Sequence, residues 1–223
     1  MNVTTEQLTG QSQDHLVNLD DRLLHRDIKD DFLNMQTAAK AAGFDLTIAS
    51  SFRDFDRQSL IWNNKFNGTR PVLDDKGNAL DVTLLSDEEK VKAILRWSAL
   101  PGASRHHWGT DMDVYASNLL PTNVELQLEP WEYLSGHQAP FYQWLVANMC
   151  EFGFYLPYQE DKGGVAVEPW HISHVATATD LLKALSPQQL KTAIAFSDIA
   201  GRETVLAMLD WIYSQYVSNV CEA

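Results

Sequence analysis

Four of the seven histidines in this sequence fall within two short segments, an arrangement expected of a metal centre. The first segment, residues 104–113, reads SRHHWGTDMD, and the second, residues 168–174, reads EPWHISH. A catalytic zinc site uses three nitrogen or oxygen ligands, leaves one position open, and needs a nearby carboxylate that is not a ligand. The two segments supply this set in His106, Asp113 and His171, with Glu168 as the free carboxylate.

The spacing within the first segment explains how its two ligands can meet. Gly109 allows the chain to turn after His106. The alternating residues 110–115 then predict a strand that carries Asp113 back toward the histidine. Asp111 and Asp113 would share one face of that strand.

In the second segment, Glu168 precedes His171 by three residues across Pro169. This spacing can direct the carboxylate at an attacking water, so Glu168 is the expected general base. His107 and His174 lie close to the ligands in sequence, and spacing alone can confuse neighbouring histidines. We expect His174 to support a ligand or to contact substrate.

These motifs resemble those of a known family. The two segments are similar to the SxHxxGxxxD and ExxH signatures of the zinc D-Ala-D-Ala carboxypeptidases and dipeptidases of the VanY and VanX type. The ExWH form of the second segment is most similar to VanY-like members. Upstream, residues 50–53 (SSFR) followed by Gln58 resemble the family's SGYRSxxxQ segment. The resemblance covers about residues 45–175, with Ser51 in place of a usual glycine and Asp111 in place of a small apolar residue.

The resemblance implies an activity and a role for each motif residue. The implied enzyme uses one zinc ion to remove a terminal D-alanine from peptidoglycan stem peptides, with DD or LD specificity. The implied site comprises the metal ligands His106, Asp113 and His171, the general base and acid Glu168, the oxyanion or substrate contact Arg53, and the peptide contacts Ser104 and Gln58. The implied fold is that of hedgehog and the D-Ala-D-Ala peptidases.

Two other functions could use the same residues. Two histidines and one carboxylate also form the facial triad of non-haem iron oxygenases. Those enzymes place histidine and carboxylate much closer in sequence, and they do not need Glu168. A non-catalytic module could instead bind cell-wall peptide without cutting it, but the presence of Glu168 together with all three ligands favours the hydrolase.

Apolar periodicity, caps and turn residues predict the elements that position these motifs. Helices are predicted for residues 27–42, 54–66, 87–98, 141–152 and 203–217 and from residue 186, and strands for residues 46–50, 110–115 and 165–173, with a hairpin or excursion at 71–83. The strands are few and form no repeating βαβ pattern. The sequence therefore predicts an α+β fold whose small antiparallel sheet carries the metal site.

Length and composition predict a single domain, residues 1–223, that needs no disulfide or structural metal. The 223 residues are 45% hydrophobic and 21% charged, which is enough for a sizeable core. The motif-bearing core, about residues 45–175, is expected between an N-terminal helical segment, about 1–44, and a C-terminal helical extension, about 176–223. Two widely separated cysteines are expected to be inert thiols.

The net charge and the absence of long apolar runs limit the possible binding partners and locations of the protein. A formal charge of −13 opposes binding to nucleic acid and to anionic membrane surfaces. The sequence has no apolar run of about 18 residues and no recognisable signal peptide. We therefore expect a cytoplasmic enzyme acting on stem peptide or muropeptide, or a periplasmic or envelope enzyme if a signal was removed or missed. The sequence does not indicate the oligomeric state.

Overall fold

Helices and short strands are mixed along the chain. The computed structural model describes residues 3–223, so the first two residues of the predicted N-terminal segment lie outside the described part. The α-helices of the described part are α1 (Thr5–Leu8), α2 (Lys29–Ala41), α3 (Phe55–Phe66), α4 (Asp87–Leu95), α5 (Pro130–Leu134), α6 (Ala139–Asn148), α7 (Val175–Ala184), α8 (Pro187–Ala195), α9 (Arg202–Ala207) and α10 (Leu209–Ile212).

The strands of residues 3–223 form two antiparallel sheets. They are β1 (Leu16–Leu19), β2 (Arg22–His25), β3 (Leu46–Ser50), β4 (Asp111–Ala116), β5 (Phe154–Tyr155) and β6 (His171–His174). β1 and β2 form a hairpin, and the other four form a sheet in the order β3-β4-β6-β5. The predicted α+β fold with a small antiparallel sheet is confirmed.

The register of the larger sheet brings the motif residues into line. Asp113 on β4 is paired with Ser50 on β3 and with His171 on β6. A register shift between Ile48 and Ser50 sets the first of these pairs. Because side chains alternate along a strand, Asp111 and Asp113 share one face of β4, as predicted.

Two apolar clusters support this arrangement. On the opposite face of the sheet, Met112, Val114 and Ile172 are fully buried against α2 and α6. A second cluster around Trp62 and Trp108 joins α3 and α4 to the C-terminal helices. Burying one large apolar side chain contributes about 1.5–3 kcal/mol. Trp108 directly follows the motif histidines, so this cluster anchors their segment.

Helix caps agree with the sequence signals. Asp54 caps α3 by accepting a hydrogen bond from the Arg57 backbone N–H. Ser86 and Glu89 form the predicted capping box of α4, although that helix ends at Leu95 and not at residue 98. The cap at Asp54 matters for the site because it fixes the chain direction one residue after Arg53.

Three predicted elements differ in the structure. The β1–β2 hairpin occupies part of the N-terminal segment expected to be helical. The strand expected at 165–173 is confined to β6, because Pro169 lacks a backbone donor and the preceding residues form a loop. The tail expected as one helix at 203–217 is divided at Met208 into α9 and α10, followed by a π-helical turn, Tyr213–Val217.

Among residues 3–223, none of the helices combines the length and the apolar character that crossing a bilayer requires.

Candidate active site

The side chains of His106, Asp113 and His171 converge in a buried cluster, as the sequence predicts. One ligand atom from each residue lies within 4.8 Å of the other two. His106 Nε2 is 3.5 Å from Asp113 Oδ2, and His171 Nδ1 is 3.5 Å from Asp113 Oδ1. The centroids of the two imidazole rings are 4.9 Å apart. Two imidazole nitrogens and one carboxylate form a donor set that fits Zn²⁺.

A tight turn places His106 in this cluster. His106 lies on a 3₁₀ turn, Arg105–Trp108, which ends at Gly109 with φ 67°. Only glycine adopts this conformation without strain. A Cβ at this position would also lie 2.6 Å from Leu16 Cδ2 and 2.8 Å from the backbone nitrogen of His25. The N-terminal hairpin therefore packs directly against the turn that carries the first ligand.

Hydrogen bonds fix the ring nitrogen that each histidine offers. His106 Nδ1 donates to the Ser51 carbonyl oxygen at 2.9 Å, which leaves Nε2 facing Asp113. His171 Nε2 lies 3.0 Å from Asp111 Oδ1, which leaves Nδ1 facing Asp113. Burial and the nearby positive charges hold the pKa of His106 well below its usual range. Orientation of this kind is typical of metal-binding histidines.

Asp111 is the centre of a buried polar network behind His171. Its carboxylate accepts from Arg105 Nε at 2.7 Å, from Thr110 Oγ1 at 2.8 Å and from Ser173 Oγ at 3.2 Å. Burial favours the neutral carboxyl, but Arg105 and His171 outweigh it and lower the pKa of Asp111. Asp111 therefore contacts Nε2 of His171, the ring nitrogen that faces away from the cluster. Asp113 is the carboxylate within the cluster.

Glu168 lies beside the cluster on the cavity side. Its Oε2 is 3.1 Å from His171 Nδ1, and its side chain is 15% exposed. Burial and the charge of Glu168 raise the pKa of Asp113 to about 6. Burial works against protonation of His171, but the hydrogen bonds to Asp111 and Glu168 raise its pKa to about 10. This concentration of negative charge suits a divalent cation.

Hydrogen bonds hold the Arg53 side chain in the cavity that the cluster lines. Its guanidinium donates to Gln58 Oε1 at 2.8 Å and to Ser50 Oγ at 3.2 Å. Its backbone N–H donates to the His106 carbonyl at 3.2 Å. Gln58 is fully buried, and its amide also donates to the Ala99 carbonyl at 2.6 Å. Gln58 therefore contacts Arg53 and the protein interior, which differs from the expected contact with peptide.

The cluster opens into a cavity of about 330 Å³. Arg53, Ser104 and Glu168 line this cavity together with the three clustered side chains. Tyr158 and Lys65 also line it, although the sequence motifs do not include them. Lys65 follows Gln58 by seven residues on α3, a two-turn spacing that places both on one helix face and could have indicated its position.

The two remaining motif histidines have structural contacts. His107 Nδ1 donates to the Arg53 carbonyl at 2.6 Å, and its Nε2 accepts from the Gly102 N–H at 3.0 Å. His174 caps α7 and also lies 3.2 Å from Asp31 Oδ2. His107 thus supports the Arg53 loop. His174 contacts α2 and α7 in place of either expected partner.

Comparison with known protein families identifies the family to which this chain belongs. The family model described as VanY, D-alanyl-D-alanine carboxypeptidase, matches residues 21–177, which is more than half of the chain. The chain belongs to the VanY family. As a member of the VanY family it is an enzyme of the carboxypeptidase class, and the resemblance derived from the motifs is confirmed.

The chain is also similar to individual proteins. An uncharacterized protein of Haemophilus influenzae is 51% identical over 105 residues, covering 45% of this chain and 72% of that protein. A D-alanyl-D-alanine carboxypeptidase of Enterococcus faecalis is 30% identical over 141 residues, covering 62% of this chain but only 43% of the relative. The crystal structure of a zinc-bound mutant of the vancomycin resistance D,D-pentapeptidase VanY superposes with a TM-score of 0.52 at 27% identity, covering 78% of this chain and 88% of the other.

Proposed function

We propose that this protein is a zinc-dependent carboxypeptidase that removes a terminal D-alanine from peptidoglycan stem peptides. The observation that carries the proposal is the convergence of His106, Asp113 and His171 beside Glu168, which is not part of the ligand set. The zinc ion in the VanY pentapeptidase structure and the name of the Enterococcus faecalis relative support the metal and the substrate.

We infer one zinc ion, held by Nε2 of His106, a carboxylate oxygen of Asp113 and Nδ1 of His171. Zinc at such a site acts as a Lewis acid on a carbonyl and lowers the pKa of a bound water to about 7. The hydrogen bonds from the outer ring nitrogens to Ser51 and Asp111 keep both imidazoles oriented for this ion.

Glu168 has the position required of the proton carrier. Its carboxylate faces the cavity next to His171, so it can take a proton from the attacking water. The same group can then return the proton to the leaving amine. One carboxylate serves both steps, and no serine or cysteine nucleophile is needed.

Arg53 is suited to the carbonyl oxygen of the scissile bond. Gln58 and Ser50 fix its guanidinium, and a fixed donor stabilises developing negative charge without having to reorganise. We propose Gln58 as a positioning residue for Arg53, and Ser104 on the cavity wall as a peptide contact.

Release of D-alanine tests the activity directly. Zinc-loaded protein is incubated with a pentapeptide and a tetrapeptide that end in D-alanine, and the preferred substrate defines DD or LD specificity. A Glu168→Ala variant should retain zinc and lose hydrolysis. Absence of release from both peptides with zinc bound would favour the non-catalytic binding module. Oxidation of the peptide that depends on iron and oxygen, without release of intact D-alanine, would favour the oxygenase.

The cellular location remains a prediction from the sequence. We propose that the enzyme acts on muropeptides or precursors in the cytoplasm, or on envelope peptidoglycan if the native protein is exported. Fractionation of cells that express the native gene, followed by detection of the protein in each fraction, distinguishes these locations.

A further inference from the structure

Lys65 places a further positive charge on the wall of the catalytic cavity, besides those of Arg53 and Arg105. It lies in the last turn of α3, half-buried, and its Nζ donates to Ser98 Oγ at 2.7 Å. Within residues 3–223, its ammonium has no carboxylate oxygen within 4.0 Å. This is notable in a chain with 30 acidic and 17 basic side chains, because a desolvated ammonium is costly without a negative partner.

The helix places Lys65 and Arg53 at different points of the cavity. Gln58, which holds Arg53, precedes Lys65 by two helical turns, or about 10 Å along the axis. The segment 97–99 runs beside the same face, because Gln58 donates to the Ala99 carbonyl and Lys65 donates to Ser98. The cavity therefore has Arg53 beside the cluster and Lys65 farther along the wall, while the third cation of its lining, Arg105, is paired with Asp111.

Two of the three acidic side chains that line the cavity have another partner. Asp113 and Glu168 contact His171. Glu129 also lines the cavity, and its backbone carbonyl accepts the Glu132 N–H at 3.0 Å at the start of α5. Burial and the charges of Arg70 and Arg53 lower the pKa of Lys65 to about 8, and the charge of Glu168 only partly opposes this shift. Among residues 3–223, no carboxylate forms a direct ion pair with Lys65, although Glu168 lines the same cavity.

We propose that Lys65 binds a carboxylate of the peptide substrate and thereby helps to select the bond that is cut. This inference rests on the proposed function, because a carboxypeptidase must distinguish a chain end from an internal peptide bond. The carboxylate can be the C-terminal one, or it can belong to an acidic side chain elsewhere in the peptide. Both sources share the same chemistry, and Arg53 remains available for the scissile carbonyl.

Binding of matched peptides tests the subsite without requiring turnover. Calorimetry on the zinc-loaded Glu168→Gln protein compares N-acetyl-D-Ala-D-Ala with its C-terminal amide. We expect the acid to bind about tenfold more tightly, the gain typical of a charged hydrogen bond. Lys65→Met should remove this preference, and Lys65→Arg should largely restore it. Lys40→Met, which removes an exposed lysine paired with Asp45, is the matched control and should change nothing.

A second peptide pair identifies the source of the carboxylate. N-acetyl-L-Glu-D-Ala-D-Ala and its L-Gln counterpart differ only in one side-chain charge. If Lys65→Met weakens only the glutamate peptide and leaves the preference for acid over amide unchanged, the side chain is the source. Retention of both preferences in Lys65→Met, or binding of no peptide by the parent protein, overturns the proposal.

The two proposals fail in different ways. If Lys65→Met abolishes the carboxylate preference but the wild-type protein releases no D-alanine, the subsite stands and the hydrolase activity does not. If the wild-type protein releases D-alanine and Lys65→Met leaves both carboxylate preferences intact, for acid over amide and for glutamate over glutamine, the activity stands and the subsite does not. In active protein, the Lys65→Met effect should fall on KM, with kcat little changed.

Discussion

Asp113 and His171 are direct antiparallel partners across β4 and β6. Residues that face each other in such a pair have Cβ atoms about 4.5–5.5 Å apart, which suits two ligands of one ion. The next pair on the same face joins Asp111 to Ser173. One stretch of sheet thus carries two of the three clustered side chains together with Asp111, which contacts His171 Nε2.

Replacing the orienting carboxylate should weaken metal binding. We expect Asp111→Asn to reduce zinc affinity about 10- to 100-fold, because its side chain no longer holds the outer nitrogen of His171 with a charged acceptor. Competition with a chromophoric chelator measures this affinity. Unchanged affinity in a folded Asp111→Asn protein would contradict the assigned role. Asp111→Ala is the less useful variant, since it leaves Arg105 buried without its partner.

Substitution of Arg53, or of Gln58, which positions it, should mainly lower kcat. We expect Arg53→Lys to lower kcat by about 10²- to 10³-fold, because a lysine cannot keep both donors fixed by Gln58 and Ser50. Gln58→Leu should lower kcat less, with its melting temperature measured as a control for the buried site. Steady-state kinetics on a D-alanine-terminated peptide separates the parameters. A pure increase in KM for Arg53→Lys would assign the guanidinium to substrate anchoring.

Removal of the metal should destabilise the folded protein. An ion that binds only the native state adds about 2.7 kcal/mol when its free concentration is 100 times its Kd. We therefore expect a chelator to lower the melting temperature of zinc-loaded protein, and expect no such shift in Asp113→Asn or His106→Ala. Calorimetric scans with and without chelator check this. Equal shifts in the wild type and in the ligand variants would point to zinc bound elsewhere.

Stability should fall in mild acid, partly through His25. Burial lowers the pKa of His25 to about 4, although the charge of Asp27 acts in the opposite direction. The neighbouring groups His15, Arg26 and His174 lower this pKa further. In the unfolded chain, the His25 imidazole has the ordinary histidine pKa of about 6.5. This contribution is therefore complete above about pH 6.5 and lost as the pH falls toward 4, a change of roughly 3 kcal/mol.

The His25 contribution can be isolated by substitution. His25 Nδ1 accepts from the Asp27 N–H, and asparagine can accept a similar bond without titrating. Urea unfolding of metal-free protein at about pH 7 and about pH 4.5 gives the two free energies of unfolding. The His25→Asn protein should show a clearly smaller difference between them. An identical difference in both proteins would exclude His25 as a source of acid sensitivity.

The convergence of His106, Asp113 and His171 beside Glu168 was predictable because metal chemistry restricts residue type and local spacing. His106 lies on a turn and Asp113 on the strand that follows it, and Glu168 precedes His171 by only three residues. Residues that are close in the sequence are therefore also close in space. The α+β class was predictable for a similar reason, because caps and apolar periodicity are local properties.

Other features depend on contacts that the sequence does not reveal. The β1–β2 hairpin has strands of only four residues and turns through Asp20 at positive φ, without the Asn-Gly or Asp-Gly signal of common hairpins. Arg105 and Asp111 are charged types that are usually exposed, yet both are buried as a pair. The motif also indicated Gln58 without indicating whether its amide faces substrate or Arg53.

The hairpin also bears on where a minimal expression fragment can begin. The family match starts at residue 21, whereas Leu16 packs on Gly109, and Trp108 Nε1 donates to the Leu8 carbonyl. At the other end, the match stops at residue 177, before the helices that pack around Trp62. A fragment trimmed to residues 21–177 would lose residues that pack around the turn carrying His106 and around Trp62, so clones for crystallisation or assay should retain both flanks.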